Sequence, residues 1–395
     1  MSTVCLSMIV KNETHIINEC LDSMWRNIDY WIIVDTGSTD GTQDLIRNYF
    51  AEKGIPGELI ERPWVNFGHN RSEALALCDG KADYAWMIDA DDKITGNFRY
   101  PPGKKLDADA YALKCGRDGC VWWRSQIFKT GIGWHYSGVL HEYAHSPKEN
   151  LSQVQIDGEY YLEARTLGAR NVNITPVEKY SKDAELLEAE LLKDPTNSRY
   201  QFYLAQSYFD SQQWEKSEAA YLRRVELGGW EEECYYSLFR VALIAMNKPN
   251  SSWPDIQEKL LKAYDFRPCR AEALHIICRY LRTNNQQRAA YLFARAAAAL
   301  PYPKQDILFI DTNIYKWMCL DELAATAFYV HDFKLGYQAC DILLKEGRLP
   351  ETEIERVKAN KATYEQKLVE IAKSSPAPEP IPVQKNNSSK YKKRK

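Results

Sequence analysis

The stretch from Tyr84 to Ile94, YAWMIDADDKI, decides how the first half of the chain is read. Tyr84, Ala85, Trp86, Met87 and Ile88 form a short apolar run, the pattern of a strand buried in a parallel sheet. The run stops at three acids, Asp89, Asp91 and Asp92, followed by Lys93. Open α/β sheets bind ligands just outside the carboxyl ends of their strands. Three acids packed there repel one another, so the cluster costs stability unless a cation or hydrogen-bond donors neutralise it. Hard oxygen ligands suit Mg2+ or Mn2+, usually shared with a substrate phosphate. A metal–diphosphate site is one reading of these residues; an acidic turn capping the next element is the other.

The preceding residues supply the sheet. Val4–Val10 (VCLSMIV) predicts a first strand, which Lys11-Asn12-Glu13 ends. Asn12 can cap the helix that follows, whose inward face carries Ile16, Ile17, Cys20, Leu21, Met24 and Trp25. Trp31–Val34 predicts a second buried strand ending at Asp35, and the polar turn Thr36–Thr42 (TGSTDGT) leads into a second helix. Glu58–Glu61 and Asn70–Leu77 predict a third strand and a third helix. Strands and helices alternating at this spacing imply right-handed βαβ units and a mostly parallel, Rossmann-like α/β sheet. Neither a G-x-G-x-x-G fingerprint nor a Walker A loop occurs, which argues against a dinucleotide-binding domain and a P-loop ATPase.

Beyond Ile94, Ala108–Lys114 and Val121–Lys129 (VWWRSQIFK) predict a hairpin turning near Gly119. An aromatic loop, Gly131–Tyr136, precedes Gly138-Val139-Leu140-His141-Glu142, and Tyr160–Ala164 predicts a last short strand. From about Val177 to Ile371 the chain reads as pairs of amphipathic helices. In Arg199–Leu227 the positions of Tyr203, Leu204, Tyr208, Trp214, Ala219 and Tyr221 fit a tetratricopeptide unit, and similar pairs recur near Tyr235–Phe266, Ala271–Leu300 and Trp317–Leu344. The expected architecture is therefore an α/β domain over 1–172, an all-α solenoid of tetratricopeptide-like repeats over 173–372, and a disordered Pro-rich, then basic tail over 373–395.

Composition narrows the class. At 395 residues two domains are natural, and 45% hydrophobic with 27% charged residues describes an ordinary soluble protein. A formal charge of −3 gives no reason to expect nucleic acid as a partner. Ten scattered cysteines without zinc spacing read as reduced thiols, and no window approaches the ~20 apolar residues of a membrane span. The expectation is a cytoplasmic chain without a leader, able to form homo-oligomers through its helices.

Four motifs in order, Val4–Val10 with Lys11-Asn12-Glu13, then IIVDTGSTDGT (Ile32–Thr42), FGHNRSEAL (Phe67–Leu75) and MIDADD (Met87–Asp92), closely resemble glycosyltransferase family 2. The resemblance covers roughly the first 170 residues, and some members carry tetratricopeptide repeats behind this domain. It implies an inverting transferase that uses a nucleotide diphosphate sugar, with UDP the expected nucleotide, and Mn2+ or Mg2+ as cofactor. The acceptor would be a glycan, a peptide or a protein. By the same resemblance Asp91 holds the metal, with Asp89 helping or contacting the donor ribose, and His141 completes the metal shell. Val10, Asn12, Glu13, Asp35, Asn70 and Arg71 line the donor, Asp35 facing the base and Arg71 approaching the phosphates.

Inversion needs a carboxylate that takes the acceptor proton, and Glu142 is the candidate base, with Asp118 as alternative. Trp134 and Tyr136 would stack on a sugar or close over the donor. Structural readings stand beside these: Arg71 paired to an acid of the cluster, His141 hydrogen-bonded in place, Glu142 capping a helix. A different class of function, a repeat scaffold with a degenerate sugar-nucleotide domain, would leave the buried acids without a use.

Overall fold

A computed structural model describes residues 1–117, 119–172 and 174–374. Asp118 and the basic tail segment Tyr391–Lys395 thus lie outside the described residues. The N-terminal strands are β1 (Val4–Val10), β2 (Tyr30–Asp35), β3 (Gly57–Glu61) and β4 (Tyr84–Met87), joined by helices α1 (Ile17–Met24), α2 (Thr42–Lys53) and α3 (Phe67–Ala76). Next come β5 (Lys93–Gly96), β6 (Ala110–Arg117), β7 (Cys120–Lys129), the β8 (His135–Ser137) and β9 (Tyr143–His145) ribbon, β10 (Gln153–Ile156) and β11 (Tyr160–Glu163). The main sheet runs β3-β2-β1-β4-β7-β6-β11-β5. Its β1 to β4 half is parallel, as the crossover helices require, while β7 joins β4 antiparallel. The predicted hairpin is present as β6–β7.

The parallel strands are buried because both faces are covered. Leu6, Met8, Ile33 and Trp86 pack under α1 and α2, while Cys5, Ile32, Val34 and Ala85 pack under α3. The order of β1, β2 and β4 leaves their carboxyl ends side by side, so Val10, Asp35 and the Asp89–Asp92 turn meet at one rim of the sheet.

The switch to helix falls where Thr175 caps α4 (Pro176–Lys193) with a full capping box to Glu178, and Pro176 occupies the first turn. The helices α5 (Ser198–Asp210), α6 (Trp214–Leu227), α7 (Glu231–Asn247), α8 (Trp253–Phe266), α9 (Glu272–Thr283) and α10 (Gln287–Ala298) follow. Then come α11 (Cys319–Thr326), α12 (Phe333–Lys345) and α13 (Glu351–Ser374). Each packs on its successor, the arrangement of a solenoid and a fit to tetratricopeptide-like repeats. No helix among the described residues is long and apolar enough to cross a membrane.

Two features tie the helices to the sheet. Ile310–Asp311 forms a two-residue strand, β12, antiparallel to β7. Leu140, from the loop between β8 and β9, is buried with Leu204, Tyr208 and Leu308 of the helical part.

Candidate active site

The rim where β1, β2 and β4 end is built by stitched loops. Asp40 receives hydrogen bonds from the amides and hydroxyls of Thr14 and Thr42. Burial alone would raise its pKa, but these bonds hold it at about 2. Val10 offers its carbonyl to Thr36. Asn12, at φ 60, does not cap α1; its side chain accepts from the Thr39 amide instead. The loop after β1 is thereby fixed to the loop after β2.

Asp35 is buried, and its Oδ1 accepts from the amides of Gly37 and Ser38 and from Gln43. Its Oδ2 is buried without a hydrogen-bond partner among the described residues. An unpaired buried carboxylate oxygen is costly, which marks it as a group waiting for a donor. Asn70 differs: its amide is spent on the Pro63 carbonyl and the Val65 amide, so it shapes the loop before α3.

The Asp-x-Asp turn is neutralised from two sides. Arg71, one turn into α3, donates from Nη2 to Asp89, and its Nε lies 2.6 Å from Glu142 Oε1. That second contact lacks hydrogen-bond angles and is an ion pair only. Burial opposes the guanidinium charge, but Asp89 and Glu142 raise the Arg71 pKa above its ordinary value. Arg124 on β7 reaches Asp92 at 2.7 Å and Asp89 at 3.7 Å. Burial pushes Asp92 up to about 7 against the pull of Arg124, and Asp89 and Asp91 add to the rise. Arg71 is thus held by acids in the free chain, the structural alternative named for it.

Asp91 has other partners. Its Oδ2 accepts from the amides of Leu167 and Gly168, each at 2.9 Å, and Arg165 Nε donates to its carbonyl. Next along the same strap, the Ala169 amide donates to Glu13. Burial raises Glu13 to about 7, with the Ala169 bond opposing and Asp91 adding to the shift. A Cβ on Gly168 would sit 3.3 Å from Glu13 Oε1 and 3.4 Å from Asp91 Oδ2, so the strap fits tightly between the two acids.

Glu142 is brought to the cluster because α3 and the β8–β9 ribbon are in close contact. A Cβ on Gly68 would stand 2.9 Å from the Gly138 carbonyl, so only glycine permits this approach. Tyr136 lies under the Arg71 guanidinium at 5.9 Å.

Two of the expected site residues pack elsewhere. His141 does not join Asp89 and Asp91; its ring stacks on Tyr203 of α5 at 3.8 Å and 7°. Lost hydration where the ring packs, and then the charges of Arg199, Arg170 and Lys179, push its pKa down. Trp134 does not cover the donor rim either. It packs on Phe128, beside Leu75, Ala85 and Thr130. Those residues lie toward the opposite end of β4, where β7, running antiparallel, finishes.

Sequence reasoning missed Arg124, the strap Arg165–Ala169, Lys179 and Arg199. Arg124 was visible as the lone charge inside the alternating VWWRSQIFK strand; the others depend on how distant segments meet. Asp89 and Asp91 supply oxygen donors of the kind a divalent cation takes, but among the described residues no three acids, histidines or cysteines form a metal cage.

Residues 5–126 match the family model described as glycosyl transferase family 2. Among curated proteins, the chain is 32% identical over 130 residues to the lipopolysaccharide core biosynthesis glycosyltransferase LpsC of Rhizobium meliloti. That alignment covers 33% of this chain and 44% of LpsC. A TPR repeat-containing protein of Synechococcus elongatus is 33% identical over 95 residues, 24% of this chain and 22% of that one. The chain therefore spans less than half the length of these relatives. Among solved structures, S. aureus TarS in complex with UDP-GlcNAc aligns at TM-score 0.32 and 13% identity, over 68% of this chain and 90% of that one. Overlaps this loose say nothing about ligands. The family match over 5–126, on a rim of acids at the ends of β1, β2 and β4, makes the N-terminal part of this chain a glycosyl transferase family 2 domain.

Proposed function

We propose that the chain is an inverting glycosyltransferase that moves a sugar from a nucleotide diphosphate sugar, with UDP the expected nucleotide, to an acceptor hydroxyl. One observation carries the reading: Glu13, Asp35, Asp89, Asp91 and Asp92 converge with Arg71 and Arg124 at one end of a parallel sheet. Asp35 Oδ2, buried and unpaired, is suited to accept an N–H from the donor base. The oxygen-only donor set suits Mn2+ or Mg2+, and Asp91 with Asp89 would hold the ion. When bound, it would supply charge neutralisation for the departing diphosphate. His141 has no part in that set.

Glu142 is the base in this reading. The acceptor oxygen attacks C1 as its proton passes to the Glu142 carboxylate. The new O–C1 bond forms while the C1–O bond to the diphosphate breaks on the opposite face, and the nucleotide leaves with that electron pair. Arg71 orients Glu142 and Asp89 together, coupling the base to the donor side. Relatives named as glycosyltransferases support the reading at the level of the domain. Titrating UDP- and GDP-sugars into the protein by calorimetry, with Mn2+ and with chelator, tests it. Metal-dependent binding and slow donor hydrolysis are expected; no nucleotide binding under any condition would refute it.

A further inference from the structure

At Tyr143, the residue after Glu142, lies a groove of about 450 Å3 that the donor reading does not use. It lies within the ~300–1,000 Å3 range of small-molecule sites. One wall is the β8–β9 loop, Ser137, Gly138 and Tyr143; the other is the start of α5, Thr196 to Tyr200. The lining is hydroxyls, an amide, two tyrosines and one arginine, with no aliphatic side chain and no acid. Such a surface suits a sugar, which offers hydroxyls at its edge and C–H groups to an aromatic face. Peptide side chains would need apolar subsites that are missing. Tyr143 is about half exposed, and its hydroxyl has no partner among the described residues.

Charge narrows the ligand further. Arg199 is half-buried and donates twice to the His141 carbonyl, at 3.0 and 2.8 Å, with its guanidinium over the rings of Tyr143 and Tyr203. No carboxylate lies within 4 Å of it among the described residues, whereas Arg71, Arg124, Arg170, Arg224, Arg267 and Arg270 all have one. A partly desolvated cation without a counter-charge in a groove wall favours an anion from outside. The groove is also held in register with the base. Leu140 is anchored in the helical core, and Gly138 and Tyr143 flank the loop that carries Glu142.

We infer that this groove, shared between the β8–β9 loop and the first helix of the repeats, is the acceptor site and takes an anionic saccharide, its carboxylate or phosphate facing Arg199. This rests on the transferase reading and gives it an acceptor class.

The test measures binding of methyl glucuronide, methyl glucoside 6-phosphate, neutral methyl glucoside and an acidic hexapeptide to the full chain, by saturation-transfer NMR and calorimetry at low salt. At least one anionic sugar should bind about tenfold or more tighter than the neutral one, and the better of the two names the anion. Arg199→Ala should abolish that preference, and Tyr143→Ala should weaken all sugars. If Arg199→Ala misfolds, the wild-type preference and its loss in salt decide alone. Equal binding of charged and neutral sugars overturns the inference, and so does capture of the peptide in preference to both. Donor binding and hydrolysis by a chain that binds none of the sugar probes overturns the groove alone. Sugar binding by a chain that takes no nucleotide sugar overturns its acceptor role together with the transferase reading.

Discussion

Removing Arg71 should cost the protein twice, in stability and in donor binding. The side chain is 12% exposed and lies between Asp89 and Glu142, which are 27% and 11% exposed. Deleting one partner of a buried ion pair typically costs about 3–5 kcal/mol, because the remaining charge stays buried. Two features place this site at the lower end. Asp89 keeps Arg124 at 3.7 Å and retains some solvent, which screens it. Glu142 has no other cation within 4 Å among the described residues, so most of the penalty should fall on it. We expect Arg71→Ala to lose about 3 kcal/mol. At roughly 2–4 °C per kcal/mol for a unit of this size, the midpoint falls by about 6–12 °C.

The double variant Arg71→Ala/Glu142→Gln separates causes. If the cost is the stranded Glu142 charge, the amide should recover about 1 kcal/mol or more. Arg71→Lys should fall between, since one ammonium cannot span both acids as the guanidinium does. Urea unfolding monitored by tryptophan fluorescence, alongside calorimetric donor titration, reads both effects. An Arg71→Ala protein as stable as wild type, or a double variant no better than the single, would refute the reasoning.

Asp91→Asn should fold normally, because the Asn oxygen can still accept from the Leu167 or Gly168 amide, yet lose most metal-dependent nucleotide-sugar affinity; unchanged affinity in chelator would sink the metal assignment. Glu142→Gln should slow turnover by about 10²–10⁴-fold with donor affinity intact, and normal turnover would move the base elsewhere. Asp40, held at about 2 in the fold against an ordinary 3.8, contributes stability that is fully present above pH 4 and lost as pH falls toward 2. Asp40→Asn should therefore flatten the acid limb of an unfolding profile, and an unchanged limb would discount the loop stitching. A chain ending at Thr175 loses β12 from the edge of β7 and exposes Leu140, so it should be poorly soluble even though the division near 172 and 173 is where we propose the cores separate. Full solubility with donor binding would show that the helices are dispensable to the sheet.

The parts legible in the sequence are those that local pattern dictates. The buried runs Val4–Val10 and Tyr84–Met87 and the amphipathic helices follow from periodicity alone. The start of the helical part near Val177 also followed from periodicity, and the structure adds the Thr175–Glu178 capping box that fixes it. Two short elements were not legible: β5 has four residues and β12 two, and each exists because a distant strand is there to pair with it. The site divides the same way. Asp35, Asp89, Asp91 and Glu142 stand at strand ends or glycine-bounded turns, which the order of the chain reveals. Asp35 is met by its own turn, Gly37, Ser38 and Gln43, but the partners of the other acids are 18 to 156 residues away, as with Arg71 on Asp89 and Ala169 on Glu13, and no local pattern announces them. His141 and Trp134 are set by the same kind of distant contact. Each is aromatic on a loop, and the nearest ring, Tyr203 or Phe128, took it.

The acid cluster posed the question of what balances three carboxylates on one turn, and a cation was one answer. The fold supplies others. Asp89 and Asp92 share Arg71 and Arg124, and Asp91 is met by two backbone amides of the strap while a third serves Glu13. Each acid thus has a partner from the chain itself, so the cluster does not need an ion in order to fold. The cost of a divalent ion would then be an exchange: an ion held at Asp91 Oδ2 would compete with the Leu167 and Gly168 amides, which both donate to that oxygen. Donor binding should consequently loosen the strap at Leu167–Ala169, and amide hydrogen exchange there should quicken when Mn2+ and nucleotide sugar are added together. Exchange that slows instead would mean that the strap closes over the ligand while keeping Asp91, and the ion would have to be held by the oxygens the strap leaves free.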